Sequence, residues 1–352
     1  MPPTGAPERT AASVARWAWG SGRWREVSLF GVRETHLPGF EGATGWLNSE
    51  PLTPDDLRGK VVLVDFWTYT CINWLRTLGY VRAWWEKYAD QGLVVVGVHT
   101  PEFPFERDVE NIREAVKDMR VEYPVAIDSD YRVWNAFANS YWPAVYIADA
   151  EGKIRHHQFG EGGYEECERV IQRLLRDAGR DGFGHDVVAV DLEGFEVQAD
   201  WAHLQSPETY LGYQHGRNFA SPSGGDFDER RTYAVPDNLE RNQWALGGDW
   251  TVERGLSVLN GREGRVVFRF HARDVNLVMG PRPKESSVPF RVLVDGEPPG
   301  ADHGLDVDEN GNGAVVQQRL YQLVRRRNGV DDSTFEITFL APGAEAYCFT
   351  FG

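Results

Sequence analysis

Residues 61–81 read VVLVDFWTYTCINWLRTLGYV. The first seven form a nearly unbroken apolar run, which predicts a strand buried on both faces. From about Cys71 to Tyr88 the period changes. Leu75, Leu78, Val81, Trp84 and Trp85 recur at spacings of three and four, as on an amphipathic helix. Cys71 therefore stands where a buried strand gives way to a helix start. A thiol there meets unsatisfied N–H groups and the positive end of the helix dipole. Both favour the thiolate, the nucleophile of thiol exchange. The plainer alternative is a small buried apolar residue.

Downstream, LVVVGVH (93–99) predicts a second buried strand, DVENIREAVKDM (108–119) a helix and YPVAID (123–128) a third strand. YRVWNAFANSY (131–141) fits a short helix broken by Trp142-Pro143. AVYIADAEGKIRHHQFG (144–160) fits a hairpin turning at Ala150-Glu151-Gly152, and EECERVIQRLLRDAG (165–179) a closing helix with Gly179 as its cap. Alternating β and α elements with buried strands mean an α/β layer fold. Residues 1–36 are expected as an N-terminal extension packing on a first domain at 37–179. Residues 180–205 are expected as a linker, with a strand pair around Gly194. From Ser206 to Gly352 short strands such as GRVVFRFHA, VNLVMG, FRVLVDG and TFEITFL alternate with Gly, Pro, Asn and Asp clusters, the pattern of an all-β sandwich.

Composition narrows the function. The 352 residues carry 37 Lys and Arg against 53 Asp and Glu, a net charge of −16, the wrong sign for a nucleic-acid or anionic-membrane binder. Three cysteines exclude a disulfide-dense secreted scaffold. No run reaches the roughly 18 apolar residues of a membrane-spanning helix. The N-terminal stretch is interrupted by Arg16, Arg23 and Arg25 and lacks a secretory core. The expected location is the cytoplasm, or outside it if the chain is a fragment of a longer membrane protein.

FWTYTCINWLRTLGYV resembles the WxxxCxxC segment of thioredoxin-fold redoxins, within the AhpC/TSA-type superfamily. It is most similar to the TlpA-like group that includes the C-terminal half of DipZ-type proteins. The resemblance continues through GWLNSEPLTPDDLRGKVVLVDFW, VVVGVHTPEFPFE, YPVAIDSDYRVWNAF, YWPAVYIADAEGKIRHHQFGEG and the closing AYCFTFG. It implies a thioredoxin-like α/β domain followed by a sandwich of the carbohydrate-binding-module or jelly-roll kind. It also implies that Pro143 forms a cis-proline loop facing the nucleophile. Trp142, Trp67 and Tyr69 would then shape the substrate groove. The family has its resolving cysteine where this chain has Trp74, and usually Pro where it has Gly79. Cys167 sits on the apolar face of its helix and Cys348 lies between two aromatics, so both read as structural.

Without a second cysteine in the motif, three readings stand. Cys71 acts alone on a disulfide or peroxide, with an external thioredoxin- or glutathione-like thiol resolving the product. Or redox function is lost, and the fold binds a peptide or glycan. Or Trp74 reflects a reassigned or misread codon such as one for selenocysteine. His99 and Glu102 end the second buried strand, at the carboxyl edge where α/β sheets gather function, and are candidate proton shuttles. His156 and His157 are adjacent on a strand and face opposite ways. Asp306–Gly311 imitates the start of a calcium loop, but Gln317 stands where the bidentate Glu belongs, so a turn is expected. No zinc-ligand spacing or phosphate loop stands out, and the expectation is a site free of cofactor and metal. Trp201, Tyr210, Tyr213, Trp244 and Trp250 are candidate stacking surfaces or core residues of the sandwich.

Overall fold

A computed structural model describes residues 36–222, 224, 227–284 and 286–352. The expected extension, apart from His36, lies outside the described residues. The described residues form two compact units, each drawn from separate stretches of sequence. One holds residues 36–67, Trp84–Thr100 and Glu122–Val187. The other holds Thr68–Ala83, Pro101–Val121 and Val188–Gly352.

The first unit is built on a six-stranded sheet of β1 (Gly45–Leu47), β2 (Val61–Trp67), β3 (Leu93–His99), β4 (Val125–Ile127), β5 (Ala144–Ala148) and β6 (Ile154–Phe159), in the order β1-β4-β3-β2-β5-β6. β2 runs parallel to β3 and antiparallel to β5, so it is hydrogen-bonded on both edges. All seven of its residues are buried, which is why no alternation shows in its sequence. Val62, Val64 and Phe66 join Val96, Val98, Trp134, Phe137 and Tyr146 in one core, the period of two placing them on one sheet face. The turn between β5 and β6 is closed by Asp149, whose carboxylate accepts from the N–H groups of Glu151 and Lys153.

Among the described residues, four helices belong to the first half of the chain: α1 (Ile72–Tyr88), α2 (Val109–Asp118), α3 (Arg132–Ala136) and α4 (Tyr164–Asp177). α2 is capped by Asp108, which accepts from Glu110 N–H. α4 buries Cys167, Val170, Ile171, Leu174 and Leu175 on one stripe, and Gly179 leaves it with φ +77°.

In the second unit the first turns of α1 and all of α2 accompany the β-rich part. Gly79, a poor helix residue by propensity, lies where an added Cβ would come within 2.9 Å of the Glu196 and Leu192 side chains. Its bare surface lets residues 190–196 approach the helix, where the family's usual proline would bring bulk. The expected strand pair around Gly194 is not formed. Gly194 has φ +56° and begins a 3-10 turn, Gly194–Glu196.

Ten strands complete this unit: β7 (Thr209–Tyr210), β8 (Arg230–Tyr233), β9 (Trp244–Val252), β10 (Ser257–Phe270), β11 (Asp274–Pro281), β12 (Val288–Val294), β13 (Asn312–Val315), β14 (Arg319–Arg325), β15 (Ser333–Phe339) and β16 (Ala344–Phe351). They form one hydrogen-bonded sheet. The long β10 pairs with β9, β15 and β16, and its register shifts between Leu259 and Gly264. That shift bends the sheet around a core of Trp244, Trp250, Phe268, Phe290, Phe339 and Phe349. Trp244 and Trp250 are therefore core residues, each donating its indole N–H to a backbone carbonyl, and offer no stacking surface.

Candidate functional site

Cys71 is the residue just before α1, and its carbonyl accepts the first helical bond, from Leu75 N–H at 3.0 Å. It therefore occupies the N-cap. The backbone N–H groups of Asn73 and Trp74 reach its sulfur and favour the thiolate. They do not prevail. Burial pushes the thiol well above the ordinary cysteine value, and the Glu102 and Glu208 charges push the same way. Cys71 keeps part of its surface open, so it is a protonated thiol that a reagent can still approach. The activated thiolate expected from the helix start alone is corrected on this point.

The acids around it come from one loop and one strand of the same unit. Pro104–Arg107 is a 3-10 turn whose Glu106 is buried and fully engaged. Its carboxylate accepts from Thr70 Oγ1 at 2.6 Å and from the N–H groups of Glu102 and Phe103 at 2.6 and 2.8 Å. Glu106 thereby ties the segment before Cys71 to the loop that carries Glu102. Phe103 and Phe105 stack at 5.7 Å, and the Tyr347 ring meets them at 5.3 and 4.9 Å. These rings seat the loop against β16.

Glu102 is part-buried and accepts the phenolic proton of Tyr210. The same hydroxyl lies 3.3 Å from Glu208 Oε2. Glu208 and Tyr210 are two residues apart along an extended segment and share a face. Burial raises the Glu102 carboxyl well above its ordinary value, and the Glu208 and Glu106 charges add to this. Dense packing also raises Glu208, to about 7. Glu208 is exposed as a residue, so water tempers that shift. Cys348 is buried on β16, on the strand face opposite the Phe349 and Phe351 core.

Trp67 and His99 belong to the sheet of the first unit and are wholly buried, their rings 4.8 Å apart edge to face. Burial lowers His99 to about 3, so it holds no imidazolium near neutral pH and has no proton to give. That corrects its expected role as a proton shuttle. Tyr69 is buried against Phe105, at 6.1 Å, and presents almost no surface to a substrate. The Trp142–Pro143 bond is cis. Trp142 is part-buried, donates its indole N–H to Thr100 O at 3.1 Å and packs on Trp134. Trp74 is wholly buried. Cys167 is buried beside His156 Nε2, at 3.5 Å, and its thiol is pushed up to about 12.

Asp308 closes its loop by accepting from the N–H groups of Asn310 and Asn312, as a turn does. Among the described residues no group of three or more His, Cys, Asp or Glu side chains is arranged to hold a metal ion. Also among them, no helix is long and apolar enough to cross a membrane. Glu106, Glu208 and Tyr210 were not singled out for this chemistry by sequence. The Glu-x-Tyr spacing at 208–210 was the available signal, and nothing local connects it with residue 71.

A strand–cysteine–helix corner on a sheet of this order, joined to an all-β domain, defines a thioredoxin-like protein. Residues 34–157 match the AhpC/TSA family and residues 206–352 the thioredoxin-like C-terminal domain. The chain is 34% identical over 142 residues to the thiol-disulfide oxidoreductase YkuV of Bacillus subtilis, covering 40% of this chain and 95% of that protein. The chain belongs to the thioredoxin-like AhpC/TSA family. It is also 36% identical over 267 residues to Protein DipZ of Mycobacterium bovis, covering 74% of this chain and 36% of that protein. It thus spans about a third of the length of that relative. A solved thioredoxin-like protein in its oxidised form shares 33% identity over 41% of this chain and 97% of its own, with a TM-score of 0.38.

Proposed function

We propose that this chain exchanges thiols with disulfides through Cys71 alone, with an external thiol completing the cycle. The observation that carries this reading is a part-open cysteine at the N-cap of α1, with backbone N–H groups on its sulfur and a carboxyl group beside it. The Cys71 sulfur attacks one sulfur of a substrate R–S–S–R'. A Cys71–S–S–R bond forms as the original S–S bond breaks, and R'–S⁻ departs with the electron pair and takes up a proton. An external thiolate then attacks the R sulfur and returns Cys71 as a thiolate. A second external thiol releases R–SH and leaves the external pair oxidised. In sum the substrate gains two electrons and the external thiols lose them.

Glu102 is read as the acid that gives a proton to the leaving sulfur, the Cys71 proton passing to solvent as attack begins. Trp142 and Pro143, carried over from the family motif, are read as part of the surface that receives the substrate chain. The reading requires a thioredoxin- or glutathione-like reductant, a protein or peptide disulfide as substrate and a reducing, cytoplasmic setting.

The test is incubation with glutathione disulfide, with Cys71→Ser as control and intact-mass and peptide analysis as readout. One glutathione on Cys71, removed by excess thiol and absent from the variant, is the expected result. A Cys71 that stays unmodified in the folded protein but labels after denaturation would sink this mechanism. It would favour a redox-inactive binding protein whose motif position is filled by buried Trp74.

A further inference from the structure

The β-rich part of the chain contributes to the chemistry at Cys71 as well as to the fold. Tyr210 carries one hydroxyl hydrogen, and it stands between two carboxyl groups, Glu102 and Glu208. That hydrogen satisfies one of them fully. With both carboxyls ionised, two negative charges would face each other across a phenol. A second proton, held on either carboxyl, lets both carboxyl contacts of the Tyr210 oxygen be hydrogen bonds. We propose that Glu208 is a positioning residue whose charge keeps this extra proton on Glu102, with Tyr210 bridging the two carboxyls as its path of return, ready for the sulfur leaving the Cys71 exchange. The inference rests on the reading of Cys71 given above.

The surroundings agree with it. The groups acting on Cys71 are Glu102 and Glu208, and Cys348 lies near enough to feel the Cys71 charge. Glu102 also faces Glu106, whose lone pairs are taken by Thr70, Glu102 N–H and Phe103 N–H. Tyr210 faces Cys348 and, at 5.6 Å between rings, His215, which burial and Arg254 bias towards the neutral form. The shared proton is therefore surrounded mainly by acids, which hold it in place. Both carboxyls are raised in the same direction. Cys71, Glu102 and Tyr210 are part-buried and Glu208 is exposed, so solvent can return a spent proton.

The step balances. Cys71 gives its thiol proton to water as the Cys71–S–S–R bond forms; as R'–S⁻ leaves with the electron pair, the proton on Glu102 passes to that sulfur. Tyr210 keeps its own hydrogen on the new Glu102 carboxylate, and Glu208 receives the next proton from water. A leaving thiol that is already stable as an anion has no need of it. Two substrates therefore separate this role from a structural one: glutathione disulfide, with a basic leaving thiol, and an aromatic nitrobenzoate disulfide, with an acidic one.

Glu208→Gln and Tyr210→Phe are expected to slow exchange with glutathione disulfide by about tenfold or more, and to leave the aromatic disulfide within about twofold. Glu208→Gln also removes a charge beside the thiol, so the pH midpoint of Cys71 alkylation moves down. Equal slowing with both disulfides, or no slowing with either, overturns the proposal. Tyr210→Phe keeps the ring and its packing, and circular dichroism against temperature identifies a variant that has lost its fold. If the unaltered protein exchanges with neither disulfide, the failure belongs to the Cys71 reading and not to Glu208.

Discussion

His99 and Glu102 are three residues apart in the chain, yet they end in opposite kinds of surroundings. His99 closes β3 among Trp67 and the buried sheet, where its ring is neutral and locked. Glu102 begins the loop that follows, part-open, with a tyrosine hydroxyl and a second carboxyl for company. The same division separates Trp67 from Cys71. In each pair the residue inside the strand serves packing, and the residue just past its end has room for proton and electron traffic. The carboxyl end of each strand is thus a boundary of a few residues, and the proposed chemistry uses residues past it.

The sharpest way to break this comparison is at Trp74, which follows Cys71 yet is wholly buried. Trp74→Ala is expected to lower stability by about 3–5 kcal/mol, the usual cost of emptying a large aromatic site. Chemical denaturation monitored by fluorescence and circular dichroism measures it. A loss below about 1 kcal/mol would mean the indole fills no core volume. In the same series Trp74→Cys restores the family's CxxC spacing. Mass analysis after mild oxidation is expected to show an internal disulfide involving Cys71, since the two positions flank the first turn of α1.

Acid distinguishes the two surroundings next. In the unfolded chain His99 takes its proton near 6.5, and in the fold only near 3. Between those values the unfolded state binds more protons, so this group's contribution to stability falls as pH drops from 6.5 towards 3. The slope is at most about 1.4 kcal/mol per pH unit. Glu208 acts in the opposite sense. Raised from 4.5 to about 7, it favours the fold below 4.5, and that contribution is lost as pH rises through 7. Its exposure makes this the weaker effect. Urea midpoints measured from pH 4 to pH 8 in the parent and in His99→Gln are expected to show a shallower acid limb in the variant. An unchanged limb would place the acid sensitivity elsewhere.

How far the sequence could be read follows the same boundary. β2, α1 and the place of Cys71 between them were legible because a buried run and a change of period are local signals. The cis bond before Pro143 came through family resemblance. The thiol's upward shift was not legible, because it comes first from burial in the fold and then from Glu102 and from Glu208, which lies 137 residues away in sequence. His99 was misjudged because strand-end position was weighed without the burial that Trp67 imposes. The all-β domain was legible from its short strands between turn clusters, but the three partners of β10 and its register shift were not.

The smallest effect concerns how the Glu102 loop is held. Besides the Tyr210 hydrogen bond to Glu102, Pro101–Val121 is joined to the β-rich part of its unit by the Phe103, Phe105 and Tyr347 rings and by the ion pair of Lys284 with Asp108 at 2.8 Å. The ion pair is visible at a glance, but its two side chains are 48% and 44% exposed. Water screens such a pair, so Lys284→Ala is expected to cost less than about 1 kcal/mol and to leave Cys71 exchange unchanged. Asp108 has a further duty, since it caps α2 by accepting from Glu110 N–H. Asp108→Ala is therefore expected to cost about 1 kcal/mol more than Lys284→Ala. Equal costs for the two variants in a denaturation series would assign the whole effect to the ion pair. The cap would then contribute nothing, and the loop would be fixed by charge more than by its aromatic rings.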